Sequence, residues 1–570
     1  MRDYQTIQGL ILEQRGISLS QREQFLHPNF ARDTYDPNLM AGMDTAIARL
    51  KTAVQRIWRG EKESIGIFGD YDADGVPATA LLYRALKRWQ IPVKTFIPTR
   101  SEGYGLTMAA VERIREAGIT VLICVDNGTV SVEEIATLAQ SGIDVIVIDH
   151  HHPDEERFPR AALAVINPKQ ATCAYQEKEL CASALAWKVM TALYRALPAL
   201  AVQEGREVVS EEQLKWDLDL VAISTVADMV PLLGENRVLA VYGMRVLAKT
   251  RSVGLKALAA VSGVNLQEVT ASDIGFKIAP RLNAPSRMHA EVVAGEEHAA
   301  LALLTTEDPA EADRLAHYLN EQNSIRQSLV ERHIREAEEL IASVDLSTQY
   351  GLVVYHPDWS SGVIGLVAGR LLEKYGRPVL VLASEDGEVK GSLRSVEGVH
   401  AVELLNGVKD HLKRYGGHAK AAGLTVKGGP DTVPVLSGAI QTWIQSKSLS
   451  LLDLKMASRR VPDLELSLSE VNLNLATAIA ELEPFGIGFP TPLFSTICTL
   501  TSIRKVGREE QHLSCFLEQE GVTRKSIGFH LADTKITAGQ RYRVFYTVNE
   551  EEWRGVKSLV CQIKRIEELS

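Results

Sequence analysis

The sequence predicts an α/β protein: a parallel-sheet core, a long connecting helix, a second α/β domain and a C-terminal β-barrel. Three observations carry this. From residue 64 to about 230, near-continuous apolar runs alternate with helical patterns, as in a parallel sheet covered by helices on both faces. Residues 307–345 keep helical apolar spacing. Beyond about 465, short alternating runs dominate, which suits a small barrel.

Taken in order, residues 1–60 read as an N-terminal helical segment with turn signals at "HPNF" and "DPNL". The core, 61–300, has strands at "SIGIFG" (64–69), "PVKTFI" (92–97), "TVLICV" (120–125), "DVIVI" (144–148) and "LAVI" (163–166), with helices near 77–89, 107–117 and 132–140. A connecting helix is placed over 301–348. Asp308-Pro309 supplies its N-cap and first turn, and Ala312, Leu315, Ala316, Leu319, Leu329 and Ile334 mark one stripe. About 35 helical residues span roughly 50 Å, enough to set two domains apart. The second domain, 349–430, has strands "YGLVVYHP" and "PVLVLAS" around a helix over 362–376. A linker is expected at 431–461, where patterning weakens, and the barrel at 462–570.

With 570 residues, 45% of them hydrophobic and 24% charged, the chain can bury several cores. No apolar run approaches the roughly 18 residues that span a bilayer, and charges interrupt the N-terminus where a signal peptide is apolar. A cytoplasmic protein with no membrane partner is therefore expected. Cys124, Cys173, Cys181, Cys498, Cys515 and Cys561 form no C-x-x-C pair, so neither structural zinc nor a disulfide framework is indicated. The net charge of −10 gives no global sign of nucleic-acid binding, although a local basic groove suffices.

The chemistry concentrates where strands end. "GIFGDYDADG" sets Asp70, Asp72 and Asp74 after the first strand. Asp126 follows "TVLICV"; Asp149, His150, His151 and His152 follow "DVIVI"; Asp228 lies in "AISTVADMVPL". Strand carboxyl ends of a parallel sheet converge on one edge. A lone Asp after a strand is commonly a turn or helix cap, but four clusters at one edge call for another account. So many anionic groups in one crevice repel one another unless cations are present. Carboxylate and imidazole donors without thiolates suit two divalent metal ions, Mn²⁺ or Mg²⁺, as used in phosphoester hydrolysis.

"GDYDADGVPATALL", "CVDNGT", "VIDHHHP" and "TVADMVPL" resemble, in order, the four motifs of the DHH phosphoesterase superfamily, and "YGGHAKAAGL" resembles the signature of its DHHA1 domain. "FLHPNF", "SEGYGL", "APRLNAPSRM", "SGVIGLVAGRL", "GSLRS" and "LEPFGIGFPTPLF" resemble the RecJ exonucleases within it, whose terminal barrel is an OB-fold. The resemblance implies a DHH core with Asp72, Asp74, Asp126, His150 and Asp228 as principal metal ligands. Asp70 is a further candidate ligand or a loop-orienting residue. His151 would face the metals or the scissile phosphate, Asp149 would accept a hydrogen bond from an imidazole, and His152 would be a loop residue.

It also implies 5′-to-3′ hydrolysis of single-stranded DNA in DNA repair and recombination. The crevice would lie between the DHH core and the DHHA1 domain and admit one strand. A single-strand-binding protein and a helicase are the candidate protein partners. Arg100, Arg281, Arg287, Ser392, Arg394 and His418 stand in the matching motifs as nucleic-acid-binding candidates, since a guanidinium can grip phosphate bidentately. On the barrel, Arg504, Lys505, Arg508, Arg524, Lys525 and Trp553 are candidates, against the ordinary reading of a solvated face. Pro77, Pro285, Ser286 and Phe489 depart from the family pattern and put local nucleotide contacts in question. Two other readings compete: a DHH phosphodiesterase acting on short oligonucleotides or cyclic dinucleotides, and an inactive DHH scaffold.

Overall fold

The computed structural model describes residues 2–103, 105–293, 297–507, 509–553 and 556–569. Strands β1 (Ile65–Phe68), β2 (Val93–Phe96), β3 (Val121–Val125), β4 (Asp144–Ile148) and β5 (Ala164–Ile166) form an all-parallel sheet in the order β2-β1-β3-β4-β5. Successive strand side chains alternate faces. Ile65, Ile67, Val121 and Ile123 thus join one core with helices Met43–Trp58, Gly75–Arg88 and Ala182–Gln203. Phe68, Leu122, Cys124 and Val147 join another, under helices Met108–Glu116 and Val132–Gln140.

Helix Ala182–Gln203 overturns one expectation. Its 22 residues are long and apolar enough by composition to cross a membrane. Ser183, Lys188, Thr191 and Arg195 interrupt its apolar run and conceal it in the sequence. Most of the helix is buried in the first core, with Lys188 paired to Glu235 at 2.5 Å, which is the signature of a core helix.

After a short ribbon, β6 (Val292–Val293) and β7 (Glu297–His298), helix Pro309–Ala342 begins, with the Asp308 carboxylate accepting the Ala310 N–H at 2.9 Å. Ala312, Leu315, Ala316 and Leu319 bury against the first core, and Ala337 and Ile341 against the second domain. That domain has β8 (Leu352–His356), β9 (Val379–Glu385), β10 (Glu388–Arg394), β11 (Leu412–Gly417) and β12 (Ala421–Val426), in the order β11-β12-β10-β9-β8. Only β8 and β9 pair in parallel. The barrel comprises β13 (Leu464–Glu465), β14 (Phe494–Val506), β15 (His512–Gln519), β16 (Val522–Gly528), β17 (Arg541–Trp553) and β18 (Val556–Glu568), closed by pairing of β14 with β17. Arg508 lies outside the described residues, as does the side chain of Trp553. All six cysteines are buried and free.

Two segments differ from expectation. The stretch 431–461 is no bare linker: it holds helices Val433–Ser446 and Leu451–Ala457, and Leu436, Ile440 and Ile444 bury in the core of the second sheet. Pro434 and Gly438 dilute the helical pattern there. The N-terminal segment is not one unit either. Ile7, Ile11, Leu12 and Phe25 belong to the barrel core, whereas helix Met43–Trp58 packs on the parallel sheet. Arg237, on helix Gly234–Leu247, ties the pieces together. Its guanidinium donates to the carbonyls of Phe25 (2.9 Å), Leu482 (2.9 Å), Glu483 (2.8 Å) and Pro484 (3.2 Å) and lies 3.7 Å from the Phe25 ring centre. Phe489 is fully buried at this junction, 4.6 Å centre to centre from Phe25, so this departure from the family pattern is a core residue rather than a nucleotide contact. Core, second domain and barrel together enclose a cavity of about 2000 Å³.

Candidate metal centre and strand crevice

The loop after β1 is organised by its own carboxylates. Asp72 accepts the N–H groups of Asp74 (2.9 Å) and Gly75 (3.0 Å) and so caps helix Gly75–Arg88. Asp74 accepts the N–H groups of Ala182 (2.7 Å) and Ser183 (3.0 Å), placing its charge at the N-terminus of helix Ala182–Gln203. Gly75 is required: a Cβ there would lie 2.6–2.7 Å from Asp70 atoms. Asn283 accepts the Ala73 N–H at 2.8 Å and anchors the loop from across the crevice. Pro77 sits in the first helical turn, where no N–H partner is needed, and Pro285 and Ser286 leave Asn283 in contact. Asp126, directly after β3, adopts φ 65°, a left-handed conformation that Asp tolerates better than most residues.

The sheet edge, joined by Asp228 at the end of helix Leu218–Ala227, brings together the candidate metal ligands. One oxygen each of Asp70, Asp72 and Asp126 lie within 4.8 Å of one another, as do ligand atoms of Asp74, His150 and Asp228. His150 Nε2 is 3.2 Å from Asp126 and 3.6 Å from Asp74, while its Nδ1 is 3.6 Å from Asp228. Burial raises Asp74 to about 7 and Asp228 to about 8, with neighbouring carboxylates adding to the rise. Asp70 and Asp126 are pushed well above the usual carboxylate range by the same two causes. Burial, then repulsion from His151, lowers His150 to about 4. A neutral imidazole therefore stands among carboxylates, and Asp70 Oδ1 is buried without a partner. This donor set, oxygen-rich with one nitrogen and short of positive charge, fits two divalent ions of the Mg²⁺ or Mn²⁺ type.

Asp149 is already occupied. Its Oδ1 accepts the His150 N–H (2.8 Å) and lies 2.7 Å from His151 Nδ1, and its Oδ2 accepts the Thr129 N–H (3.0 Å). Burial opposes ionisation of both partners. The Asp149 hydrogen bond and charge nonetheless raise His151 to about 9, and the Asp149 carboxyl is held well below its usual range.

Opposite stand the guanidiniums. Arg287 touches the second domain, donating to Gly362 O at 3.4 Å. Arg394, on β10, donates to Ser392 Oγ (2.8 Å) and Leu393 O (3.1 Å), and Gly365 leaves room for both side chains. Among the described residues Arg281 bonds only neutral acceptors, Asn320 Oδ1 (2.9 Å) and Lys277 O (2.6 Å). Arg100 lies 5.7 Å from the Tyr71 ring centre. His418 faces His152 with ring centres 6.5 Å apart; His152 is a loop residue, as expected, and its loop borders the crevice. Burial, then repulsion from Arg100 and Arg326, lowers Arg287 to about 10. No motif or spacing marks Arg326, which reads in the sequence as one more charge on a long helix.

This fold and site define a DHH-type phosphoesterase core joined to a DHHA1 domain and an OB barrel. Residues 64–223 match the DHH family N-terminal domain, 348–446 the DHHA1 domain and 462–565 the RecJ OB domain. The chain belongs to the RecJ family. It is 34% identical to the single-stranded-DNA-specific exonuclease RecJ of Bacillus subtilis over 97% of this chain and 67% of that protein. With the Haemophilus influenzae RecJ it shares 33% identity, covering 93% and 92%. The crystal structure of Thermus thermophilus RecJ in complex with Mn²⁺ superposes with a TM-score of 0.78 at 29% identity, over 99% of this chain and 76% of that one.

Proposed function

We infer that this chain is a metal-dependent exonuclease that removes nucleotides from the 5′ end of single-stranded DNA, in DNA repair and recombination. The observation that carries the reading is the juxtaposition of two adjacent carboxylate clusters with guanidiniums, those of Arg287 and Arg394, that lack carboxylate partners among the described residues. Asp70, Asp72 and Asp126 would hold one divalent ion and Asp74, His150 and Asp228 the other. When bound, the ions supply Lewis acidity toward a phosphoryl oxygen and lower the pKa of water. Asp149 orients His151 and keeps it protonated, so its positive charge faces the phosphoryl group as negative charge develops. Arg394, Ser392, His418, Arg287 and Arg100 grip the strand, and Arg281 extends that wall.

The substrate is single-stranded, which makes a helicase the natural supplier and a single-strand-binding protein the natural competitor or escort; a cytoplasmic location agrees. The test is nucleotide release from a 5′-labelled single strand with Mn²⁺, beside the matching duplex. Release from the single strand alone, abolished by EDTA, is expected. Equal attack on duplex, or activity that survives EDTA, would overturn the reading.

A further inference from the structure

The most unusual charge outside the metal crevice is Arg326, in the middle of the connecting helix. Its Nε is buried without a partner, and among the described residues its guanidinium makes no hydrogen bond or ion pair. Burial lowers its pKa, and repulsion from Arg281 and Arg370 adds to that. Arg326 is half-buried, and a cation drawn partly out of water with no partner is costly to a fold. It faces the roughly 2000 Å³ cavity, whose wall also includes Arg287, Arg370 and Phe276. Phe276 is 77% exposed and sits on a π-helical segment, Ile274–Ile278, a helix irregularity that often marks functional sites. Arg281 links the two, since it donates to the carbonyl of Lys277, next to Phe276, and is a charged neighbour of Arg326.

We propose that Arg326 and Phe276 form a subsite for an internal nucleotide of the strand, the guanidinium holding a phosphate and the ring stacking on a base. This rests on the single-strand exonuclease reading above. The run of guanidiniums supports it: Arg287 senses both Arg394 on the crevice side and Arg326 on the cavity side. A phosphodiester backbone leaving the metal centre along this line meets a cation at each step, and its negative charge relieves the repulsion among them. A base beside Arg326 can cover the exposed ring, as aromatic platforms do for single strands.

The two residues leave different marks on binding, which makes the subsite testable in full-length protein held inactive with EDTA. Arg326→Met is expected to weaken binding of a strand of about 12 nucleotides by about tenfold or more, the loss of a charge-assisted contact. It should make the log K against log salt slope shallower by about 0.7, with a smaller loss on a trinucleotide. It should also raise the melting temperature of the free protein, because it removes an unpaired, half-buried charge; a structural arginine would lower it. Arg326→Gln serves as the second variant. Phe276→Ala is expected to weaken binding without changing the slope, and Phe276→Trp to restore it. The subsite is overturned if the arginine variants bind long strands normally with an unchanged slope, or if they destabilise the free fold and lose short and long strands equally. Wild-type protein that does not degrade single strands with Mn²⁺ would overturn the exonuclease reading as well, which the binding comparison alone would not.

Discussion

The two walls of the crevice carry opposite charge and are built in opposite ways. The acid wall comes almost entirely from strand ends of one sheet, and backbone N–H groups fix it: those of Asp74 and Gly75 on Asp72, those of Ala182 and Ser183 on Asp74. The basic wall is assembled from separate elements. Arg287 comes from helix Ala279–Arg287, Arg326 from the connecting helix, Arg370 from helix Ile364–Tyr375 and Arg394 from β10. Arg287 and Arg394 lean on carbonyls and a hydroxyl, Arg370 pairs with Glu373 at 3.5 Å, and Arg326 makes no hydrogen bond among the described residues. The acid wall is thus a local property of the sheet, while the basic wall exists only once two domains meet. Each wall is a like-charge cluster that the protein compensates only in part, as where Glu373 pairs with Arg370; on the proposed reading cations complete the one and phosphates the other.

The sharpest break in this comparison is removal of one acid. Asp126→Asn should lower turnover by about three orders of magnitude or more, about 4 kcal/mol of transition-state stabilisation, while strand binding changes little. Single-turnover rates and filter binding on the same preparations measure both. Near-normal turnover would detach Asp126 from the metal centre.

Next in size is the pH dependence of the metal-free fold. Asp74 and Asp228 titrate near 3.8 when unfolded but at about 7 and about 8 when folded, and His151 rises from 6.5 to about 9. Between pH 6.5 and 8 the folded state therefore binds more protons than the unfolded one, so stability falls as pH rises. His150, lowered to about 4, is neutral in both states over that window apart from its edge and does not reverse the sign. In EDTA the loss should be on the order of a few kcal/mol, and saturating Mn²⁺ should remove most of it. Thermal melts at several pH values, with and without metal, decide this; a flat apo profile contradicts an uncompensated acid wall.

On the basic wall, Arg394→Ala should weaken strand binding by about 1.5–3 kcal/mol. A larger loss for 5′-phosphorylated than for 5′-hydroxyl strands places the terminal phosphate on Arg394. Equal loss moves it to internal phosphates, and no loss removes it from the wall.

The same contrast explains what the sequence could show. Asp70, Asp72, Asp74, Asp126 and His150 follow apolar runs of a parallel sheet, and strand ends of such a sheet meet at one edge whatever the details. Their convergence was legible from short-range pattern alone. Arg326 was not, because a charge on a helix face is usually a solvated face, and only the packing of helix Pro309–Ala342 against two domains half-buries it and leaves its Nε without a partner. Nor was the union of Ile7, Ile11 and Leu12 with Leu475 and Ile479, partners more than 460 positions apart in sequence. The helix Val433–Ser446 was lost for a local reason, the Pro and Gly that break its period.

The smallest expected effect concerns the barrel, and the fold dictates how to look for it. Cutting the chain after residue 461 would strip the barrel core from Ile7, Ile11, Leu12 and Phe25 and leave Arg237 without its acceptors at Leu482, Glu483 and Pro484. A truncation would report on that exposed surface as much as on strand binding. Lys564 offers a cleaner probe. It lies on β18, lines the cavity and makes no ion pair among the described residues, and burial lowers its pKa. If the barrel continues the basic wall, Lys564→Met should weaken binding of strands of tens of nucleotides by only a few-fold. The log K against log salt slope should become shallower by about 0.7, one phosphate's share. Trinucleotide binding should move less than long-strand binding, because a short substrate held at the metal centre does not extend to β18. Equal losses on both lengths would mean that Lys564 acts through the fold, which circular dichroism and melting temperature would show. An unchanged slope in a well-folded variant would end the basic wall at Arg326 and Arg370 and leave the barrel no part in holding the strand at this point.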